Sequence, residues 1–129
     1  DEDIYAAGDI AEFPDPVTGE KTRIEHWVLA EMHGRHAALS MLGEQRPFTE
    51  TPFFWTRQFG TSFKYIGYPL NWERVETAGD AAGETFLVGF FEDDVLRGAA
   101  SLGAQSKLVK ISEMMRGGKR ISKEEFTEV

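Results

Sequence analysis

The sequence contains no cysteine among its 129 residues. This excludes disulfide bonds, thiolate metal sites and cysteine nucleophiles within the chain, although it says little about the cellular compartment. Apolar runs are also short, and none approaches the roughly 20 residues that a membrane-spanning helix requires. The first residues, Asp1, Glu2 and Asp3, do not follow the pattern of a secretory signal peptide. We therefore expect a soluble, cytoplasmic protein that does not enter a membrane.

Basic residues are in the minority, since 14 Lys and Arg stand against 22 Asp and Glu, which gives a net charge of −8. Nucleic-acid binding depends on Lys and Arg contacts to phosphate, so this balance argues against a nucleic-acid partner. The composition is 41% hydrophobic and 12% aromatic, which is typical of a globular protein rather than a disordered one. The length fits one domain, or one domain with a fragment of another.

Residues 4–9 read Ile-Tyr-Ala-Ala-Gly-Asp. The small and apolar residues predict a short buried strand that Gly8 and Asp9 end. Gly8 has no Cβ, so another backbone or a ligand can approach it closely. Asp9 places a carboxylate at the end of the strand, where open α/β sheets bind ligands, and it suits a sugar-like hydroxyl better than a phosphate. The alternative is an ordinary turn, which Gly-Asp forms more often.

A helix is predicted over residues 25–43, after a proline-containing turn at residues 13–20 that is compatible with a small hairpin. Gly43 is expected to cap the end of this helix. Gly34 costs about 1 kcal/mol relative to alanine, so it predicts close packing against a sheet or a cofactor. Ordinary core packing of the small-residue stripe is the alternative; the stripe comprises Ala30, Gly34, Ala37, Ala38 and Met41.

Glu25, His26 and Trp27 lie at the start of this helix. Backbone amides there lack partners and the helix dipole is positive, so an electron-rich oxygen is attracted to this end. The alternative is that Glu25 is only a favourable N-terminal charge and Trp27 a core aromatic.

From residue 53 onward the apolar pattern changes to a period of two, after a proline-bearing stretch at residues 44–52. Strands are predicted at 53–58, 62–67, 72–77, 85–91 and 95–102, with glycine and acidic turns between them. Leu108, Ile111 and Met115 share one face of a following helix, and Ser122 with Glu125 forms a capping box. The predicted fold class is α+β, a five-stranded antiparallel sheet with C-terminal helices, preceded by a strand–helix piece. The predicted domains are residues 1–46 and 47–129.

Two other kinds of site are rejected. His26, His33 and His36 lack the spacing and the carboxylate that a metal site needs, and there is no His-Glu-x-x-His motif. The serines lack a Gly-x-Ser-x-Gly setting, so no hydrolytic site is expected.

Three motifs together resemble the FAD-dependent pyridine-nucleotide oxidoreductases, in their ferredoxin-reductase and apoptosis-inducing-factor-like branch. Residues 4–11 resemble the second flavin-binding motif, residues 23–27 the segment that follows it, and residues 52–56 the aromatic motif that opens the C-terminal domain. The resemblance implies that Gly8 and Asp9 hold the ribityl chain of FAD. It also implies that Trp27 or Val28 offers an amide to the flavin, near Glu25 and His26, and that Trp55 covers the ring.

The resemblance further implies the C-terminal part of a reductase that passes electrons from NAD(P)H through FAD to a ferredoxin, a Rieske-type centre or another acceptor. Residues 1–46 would then complete the FAD-binding α/β domain. Neither dinucleotide-binding fingerprint is present, so the isolated chain is expected to bind FAD weakly and to be inactive. Ferredoxins are usually acidic, so a docking patch would lie on the basic C-terminal stretch or outside this chain. The rival hypothesis is a non-catalytic module for homodimerisation or redox-partner binding.

Overall fold

The computed structural model describes residues 4–129, so the predicted lead-in at residues 1–3 lies outside the described residues. The chain forms two compact units, Asp1–Glu50 and Thr51–Val129. The predicted domain boundary, after residue 46, lies four residues before the boundary between these two units. That it separates two domains of a longer parent protein stays a prediction.

The first unit contains a 3₁₀ turn at Gly8–Ile10, strands β1 (Phe13–Pro14) and β2 (Lys21–Thr22), and helix α1 (Trp27–Met41). β1 and β2 pair antiparallel, which confirms the hairpin at the proline-containing turn. The Asp15 carboxylate holds the turn because it accepts hydrogen bonds from the Val17 and Thr18 amides at 2.9 and 2.8 Å.

The predicted strand at residues 4–7 is wrong. Ala7 has an extended backbone, with φ −144° and ψ 154°, but residues 4–7 belong to no strand in the described part of the chain. A strand is stabilised by hydrogen bonds to a neighbouring strand, and apolar composition alone does not supply that neighbour. The chain instead turns directly into the 3₁₀ segment that carries Gly8 and Asp9.

Helix α1 is shorter than predicted because His26 is its N-cap, with an extended backbone. Its end is as expected: Gly43 has φ +94°, its amide donates to the Ser40 carbonyl, and the Glu44 amide donates to the Leu39 carbonyl, both at 3.0 Å. These two bonds form a Schellman motif, which satisfies carbonyls that the helix leaves open.

The prediction that Gly34 marks close packing against a sheet is not met among residues 4–129, and packing against a cofactor stays a prediction. A Cβ added to Gly34 would meet no atom within 4 Å, and Ala38 and Met41 are exposed. The buried residues of α1 are Leu29 and His33. Small side chains recur at helical spacing, but burial is decided by the neighbour, and here the neighbouring rings lie on the His33 side.

The second unit confirms the predicted fold class. Its five-stranded sheet is antiparallel throughout, in the order β3-β4-β7-β6-β5. Two-residue turns with positive φ join β3 to β4, at Phe59 and Gly60, and β6 to β7, at Asp93 and Asp94. The elements are β3 (Phe53–Gln58), β4 (Thr61–Gly67), β5 (Arg74–Asp80), β6 (Thr85–Glu92), β7 (Val95–Leu102), α2 (Gln105–Arg116) and α3 (Lys123–Glu128).

The third predicted strand is displaced, since β5 begins two residues later than expected and continues to Asp80. The predicted strand ends at residue 77, which leaves Gly79 in the connection to the next strand. In the structure Gly79 has φ +99° and pairs with Phe86, and an added Cβ would lie 2.9 Å from the Thr85 carbonyl oxygen. Glycine is therefore needed here for a close approach inside the ladder rather than for the turn.

Both helices of this unit pack on one face of the sheet. Leu108, Ile111 and Met115 of α2 are buried, as predicted, and Phe126 of α3 meets Phe91 edge-to-face at 5.6 Å. The capping box is confirmed: the Glu125 amide donates to Ser122 Oγ at 3.3 Å, and the Ser122 amide donates to Glu125 Oε2 at 3.1 Å.

The opposite face, called here the outer face, is aromatic. Neighbouring ring centroids on it lie 5.5 to 6.3 Å apart, and the rings belong to Phe54, Tyr65, Tyr68, Trp72 and Phe90. Tyr68 and Trp72 are exposed. Burial among these rings, with a smaller contribution from Tyr68, raises the pKa of Tyr65 to about 12.

Candidate functional site

The Asp9 carboxylate sits on an exposed turn that is packed against α1. Gly8 has φ +79°, and a Cβ added there would lie 3.6 Å from the Ala30 Cβ, which places the turn beside the first turn of the helix. Arg23 Nη1 donates to the Asp9 carbonyl oxygen at 2.8 Å and to Glu25 Oε1 at 2.7 Å. The structure therefore brings the Asp9 backbone and the Glu25 carboxylate together around one guanidinium.

Arg23 is the residue that sequence reasoning missed as part of this site. In the sequence it is only the first residue of the segment 23–27, because nothing in the local pattern shows that its side chain reaches a backbone oxygen 14 residues earlier. The only sequence signal was a cation two residues before Glu25, ahead of a helix start that favours anions.

At the start of α1, His26 Nδ1 accepts a hydrogen bond from the Val28 amide at 3.3 Å. This satisfies one of the open amides of the first turn. The Trp27 amide has no protein acceptor among residues 4–129. The Trp27 side chain is exposed, with its ring centroid 6.0 Å from that of His26. Two aromatic rings and a free amide thus flank the positive end of the helix dipole.

Trp55 lies in the second unit, on strand β3, directly opposite Lys64 of β4. Alternation puts Trp55 on the same face as Phe53, as predicted, and Phe54 on the outer face beside Tyr65. Trp55 keeps 53% of its surface exposed. A tryptophan this exposed contributes little to the core and is available for contact with another molecule.

His33 is the buried titratable group of the first unit. It is 5% exposed, and it packs edge-to-face on Phe48 at 4.6 Å and on Phe13 at 5.0 Å, beside a cavity of about 190 Å³. Neither ring nitrogen has a partner in hydrogen-bond geometry among residues 4–129. Burial lowers the pKa of His33; the nearby Gly8 backbone partly opposes this, and His36 lowers the pKa further.

Within residues 4–129, no three His, Asp or Glu side chains come together as a metal site. In the same part of the chain, no helix is both long and apolar enough to cross a bilayer.

Residues 53–129 match a known protein family, described as the reductase C-terminal family. This match spans more than half of the chain. The chain belongs to the reductase C-terminal family. Membership of the ferredoxin-reductase and apoptosis-inducing-factor-like branch is confirmed by the relatives, several of which are ferredoxin–NAD⁺ reductase components of dioxygenase systems.

The similarity to these relatives extends through both units. The chain is 32% identical over 123 residues to apoptosis-inducing factor 3 of Mus musculus, which covers 95% of this chain and 20% of that protein. It is 29% identical over 113 residues to the ferredoxin–NAD⁺ reductase component of the 3-phenylpropionate/cinnamic acid dioxygenase of Photorhabdus laumondii, covering 88% of this chain and 28% of that protein. The chain thus spans less than a third of the length of these relatives.

Two solved structures show the same fold. Putidaredoxin reductase, in its covalent complex with putidaredoxin, superposes with a TM-score of 0.82 over 94% of this chain and 29% of that chain, at 19% identity. A ferredoxin reductase from Rhodopseudomonas palustris superposes with a TM-score of 0.80 over 92% of this chain and 29% of that chain, at 24% identity. The antiparallel sheet with C-terminal helices is therefore a ferredoxin-reductase architecture.

Proposed function

We propose that this chain is the C-terminal part of an NAD(P)H-dependent FAD oxidoreductase whose electrons pass to a ferredoxin or a Rieske-type centre. The observation that carries the proposal is the similarity to reductase relatives across both units, beside the match of the family domain. The 123-residue match to apoptosis-inducing factor 3 also includes the Asp9 turn. The relatives are oxidoreductases, and a bound FAD supplies hydride acceptance from NAD(P)H and electron release to an acceptor.

The residues around Asp9 fit a flavin. The Asp9 carboxylate is exposed and its turn is tied to Glu25 by Arg23, so it can accept hydrogen bonds from ribityl hydroxyls without rearrangement. Gly8 suits the turn because its φ of +79° is disfavoured for a residue with a side chain, whereas an added Cβ would make only an ordinary contact with Ala30. A carboxylate in this place excludes a phosphate and favours a neutral polyol.

The start of α1 would serve the electron-rich edge of the flavin. Because the Val28 amide donates to His26, the Trp27 amide is the better donor of the two. The positive end of the dipole would stabilise the negative charge of a reduced ring. Trp55, with half of its surface exposed, would shield the ring from water.

The Asp9→Ala substitution tests this assignment. In a full-length reductase carrying this segment, we expect the flavin content after purification to fall, because the ribityl hydroxyls lose their acceptor. Glu12→Ala, which removes an exposed carboxylate three residues on, is the matched control and should keep its flavin. Equal flavin content in the Asp9 variant and the wild type would contradict the assignment. The isolated chain, titrated with FAD and followed by visible absorption, should bind weakly and show no NAD(P)H oxidation.

The second candidate function is a dimerisation or partner-binding module, and the aromatic outer face favours it. Its five rings are neighbours, and Tyr68 and Trp72 are exposed. Aromatic side chains that only decorate a surface are usually scattered singly, whereas a contiguous patch marks an interaction site. Light scattering of the purified chain would support this function if the mass rises with concentration. A monomer at every concentration would weaken it. The homodimer and a cytoplasmic location stay predictions.

A further inference from the structure

A groove lies between strands β3 and β4 and helix α2, entirely within the second unit. Its volume is about 220 Å³, and its residues include Phe53, Ile66, Leu108, Val109, Lys64 and Glu113. We call it the β3–α2 groove. Its walls are mainly apolar, and Val109 leaves 60% of its surface exposed although it lies beside the buried face of α2. Apolar walls with few polar groups are what a docking side chain needs.

Lys64 gives the groove an uncompensated positive charge. Its side chain is half-buried, and no acidic group forms an ion pair with it among residues 4–129. Glu113 on the other rim does not supply the missing negative charge, because Arg116 lies 3.4 Å from its carboxylate. A lysine that faces an apolar groove without a partner favours a ligand with a carboxylate.

The charges of the second unit are separated along the sheet. Helix α2, residues 105–116, carries three basic side chains and one acidic, and residues 53–67 carry two basic side chains and no acidic one. Residues 73–94, which form the β5 and β6 edge, carry seven acidic side chains and one basic. Positive charge is therefore concentrated on the β3–α2 side of the unit and negative charge on the β5 and β6 edge, although the unit as a whole is nearly neutral. The β3–α2 side attracts a negatively charged protein.

We propose that the β3–α2 groove is the docking site for an acidic segment of the electron-accepting protein. A carboxylate of the partner would pair with Lys64, and an adjacent apolar side chain would enter between Ile66, Leu108 and Val109. Trp55, directly opposite Lys64, would lie at the edge of the contact. This inference rests on the proposed function, because that function supplies a ferredoxin-type acceptor.

The experiment is a titration of the isotope-labelled 129-residue chain with oxidised putidaredoxin at low ionic strength, followed by amide chemical shifts. We expect the shift changes to cluster in residues 53–66 and 105–113. Lys64→Glu should weaken binding by about tenfold or more, because it reverses the one positive charge that lines the groove. Lys107→Glu makes the same charge change on α2 outside the groove lining and should weaken binding only about twofold.

A second variant tests the apolar half of the contact. Val109→Ser removes an exposed apolar side chain, so folding should be preserved, and we expect binding several-fold weaker with no change in its salt dependence. Equal losses for Lys64→Glu and Lys107→Glu, or shifts confined to the outer face, would overturn the groove while leaving the proposed acceptor intact. No binding of putidaredoxin at all would overturn the groove and count against a ferredoxin acceptor. Concentration-dependent shifts in the groove without putidaredoxin would assign it to a second copy of the chain instead.

Discussion

Arg23 is hydrogen-bonded to the backbone of Asp9, with 2.8 Å between its Nη1 atom and the Asp9 carbonyl oxygen. The same nitrogen reaches Glu25 at 2.7 Å. Both partners are exposed, so this contact contributes little to global stability. Its consequence is positional, since it connects the turn that carries Asp9 to the residues that precede α1.

The first prediction concerns Arg23→Ala in a full-length reductase carrying this segment. We expect FAD binding about fivefold weaker, because one to two hydrogen bonds that hold the Asp9 turn are lost, while the melting temperature changes little. Flavin fluorescence measures the dissociation constant. Arg35→Ala, which removes an exposed arginine of α1, is the control and should leave it unchanged. If Arg23→Ala lowered the melting temperature strongly but left FAD affinity unaltered, Arg23 would serve only the stability of the fold, and the prediction would be wrong.

The second prediction contrasts two glycines. Gly67 has φ +77°, and a Cβ there would lie 2.3 Å from the Arg97 carbonyl oxygen, inside the β4–β7 ladder. Gly67→Ala should lower the free energy of unfolding of the second unit by about 3 kcal/mol, because backbone strain and a clash with a backbone atom add together. Urea unfolding followed by circular dichroism measures this change.

Gly34→Ala is the matched substitution in a helix. Because nothing lies within 4 Å of the added Cβ, it should stabilise α1 by about 1 kcal/mol in this chain. Destabilisation in a full-length reductase by the same substitution would show that another element packs on this face there. Destabilisation in the isolated chain would contradict the geometry around Gly34.

The third prediction concerns Phe59, which lies at the tip of the β3–β4 hairpin with φ 51° and its side chain fully exposed. A left-handed backbone disfavours a bulky residue, whereas Asn-Gly is the preferred pair for such a two-residue turn. Phe59→Asn should therefore raise the free energy of unfolding by about 1 kcal/mol. Phe59→Ala is the control and should give no gain, since alanine is also strained there. A gain with alanine would assign the effect to the exposed ring.

The five-stranded sheet could be predicted from local information. Alternation in segments such as residues 85–91 and 95–102, with Asp93 and Asp94 between them, specifies both strands and their turn. The Ser122 capping box and the Gly43 cap are equally local, since each involves atoms at most five residues apart. Strand order is different. Nothing in the apolar pattern places β7 between β4 and β6. That arrangement depends on pairing between strands that are far apart in the sequence.

The departures from the predictions share a cause. The apolar pattern of a segment does not reveal whether a neighbouring element packs against it. Residues 4–7 have the composition of a buried strand but pair with no strand among residues 4–129. Gly34 has the spacing of a packed helix face but meets nothing within 4 Å. The link from Arg23 to Asp9 is the opposite case, a contact that exists without a pattern. Local sequence signals identify elements, whereas the candidate site depends on contacts between them.

The fourth prediction concerns acid stability at His33. The ring is buried between Phe13 and Phe48, and its pKa is lowered chiefly by burial, so the folded chain holds it neutral. In the unfolded chain His33 has the ordinary histidine pKa of about 6.5. As the pH falls through that value, the unfolded state therefore binds more protons at His33 than the folded state does. The stability of the first unit should therefore be complete above about pH 7 and should fall progressively below pH 6.5.

Native-state hydrogen exchange of the α1 amides at pH 7.5 and pH 5.5 measures this loss without interference from the second unit. His33→Phe keeps a ring against Phe13 and Phe48 and should remove most of the difference between the two pH values, once intrinsic exchange rates are corrected. His26→Asn preserves an N-cap acceptor for the Val28 amide and should retain the difference, because it leaves His33 buried. If the His33 variant lost protection at pH 5.5 as fully as the wild type, another group would be responsible, and burial of neutral His33 would not control the acid response of this unit.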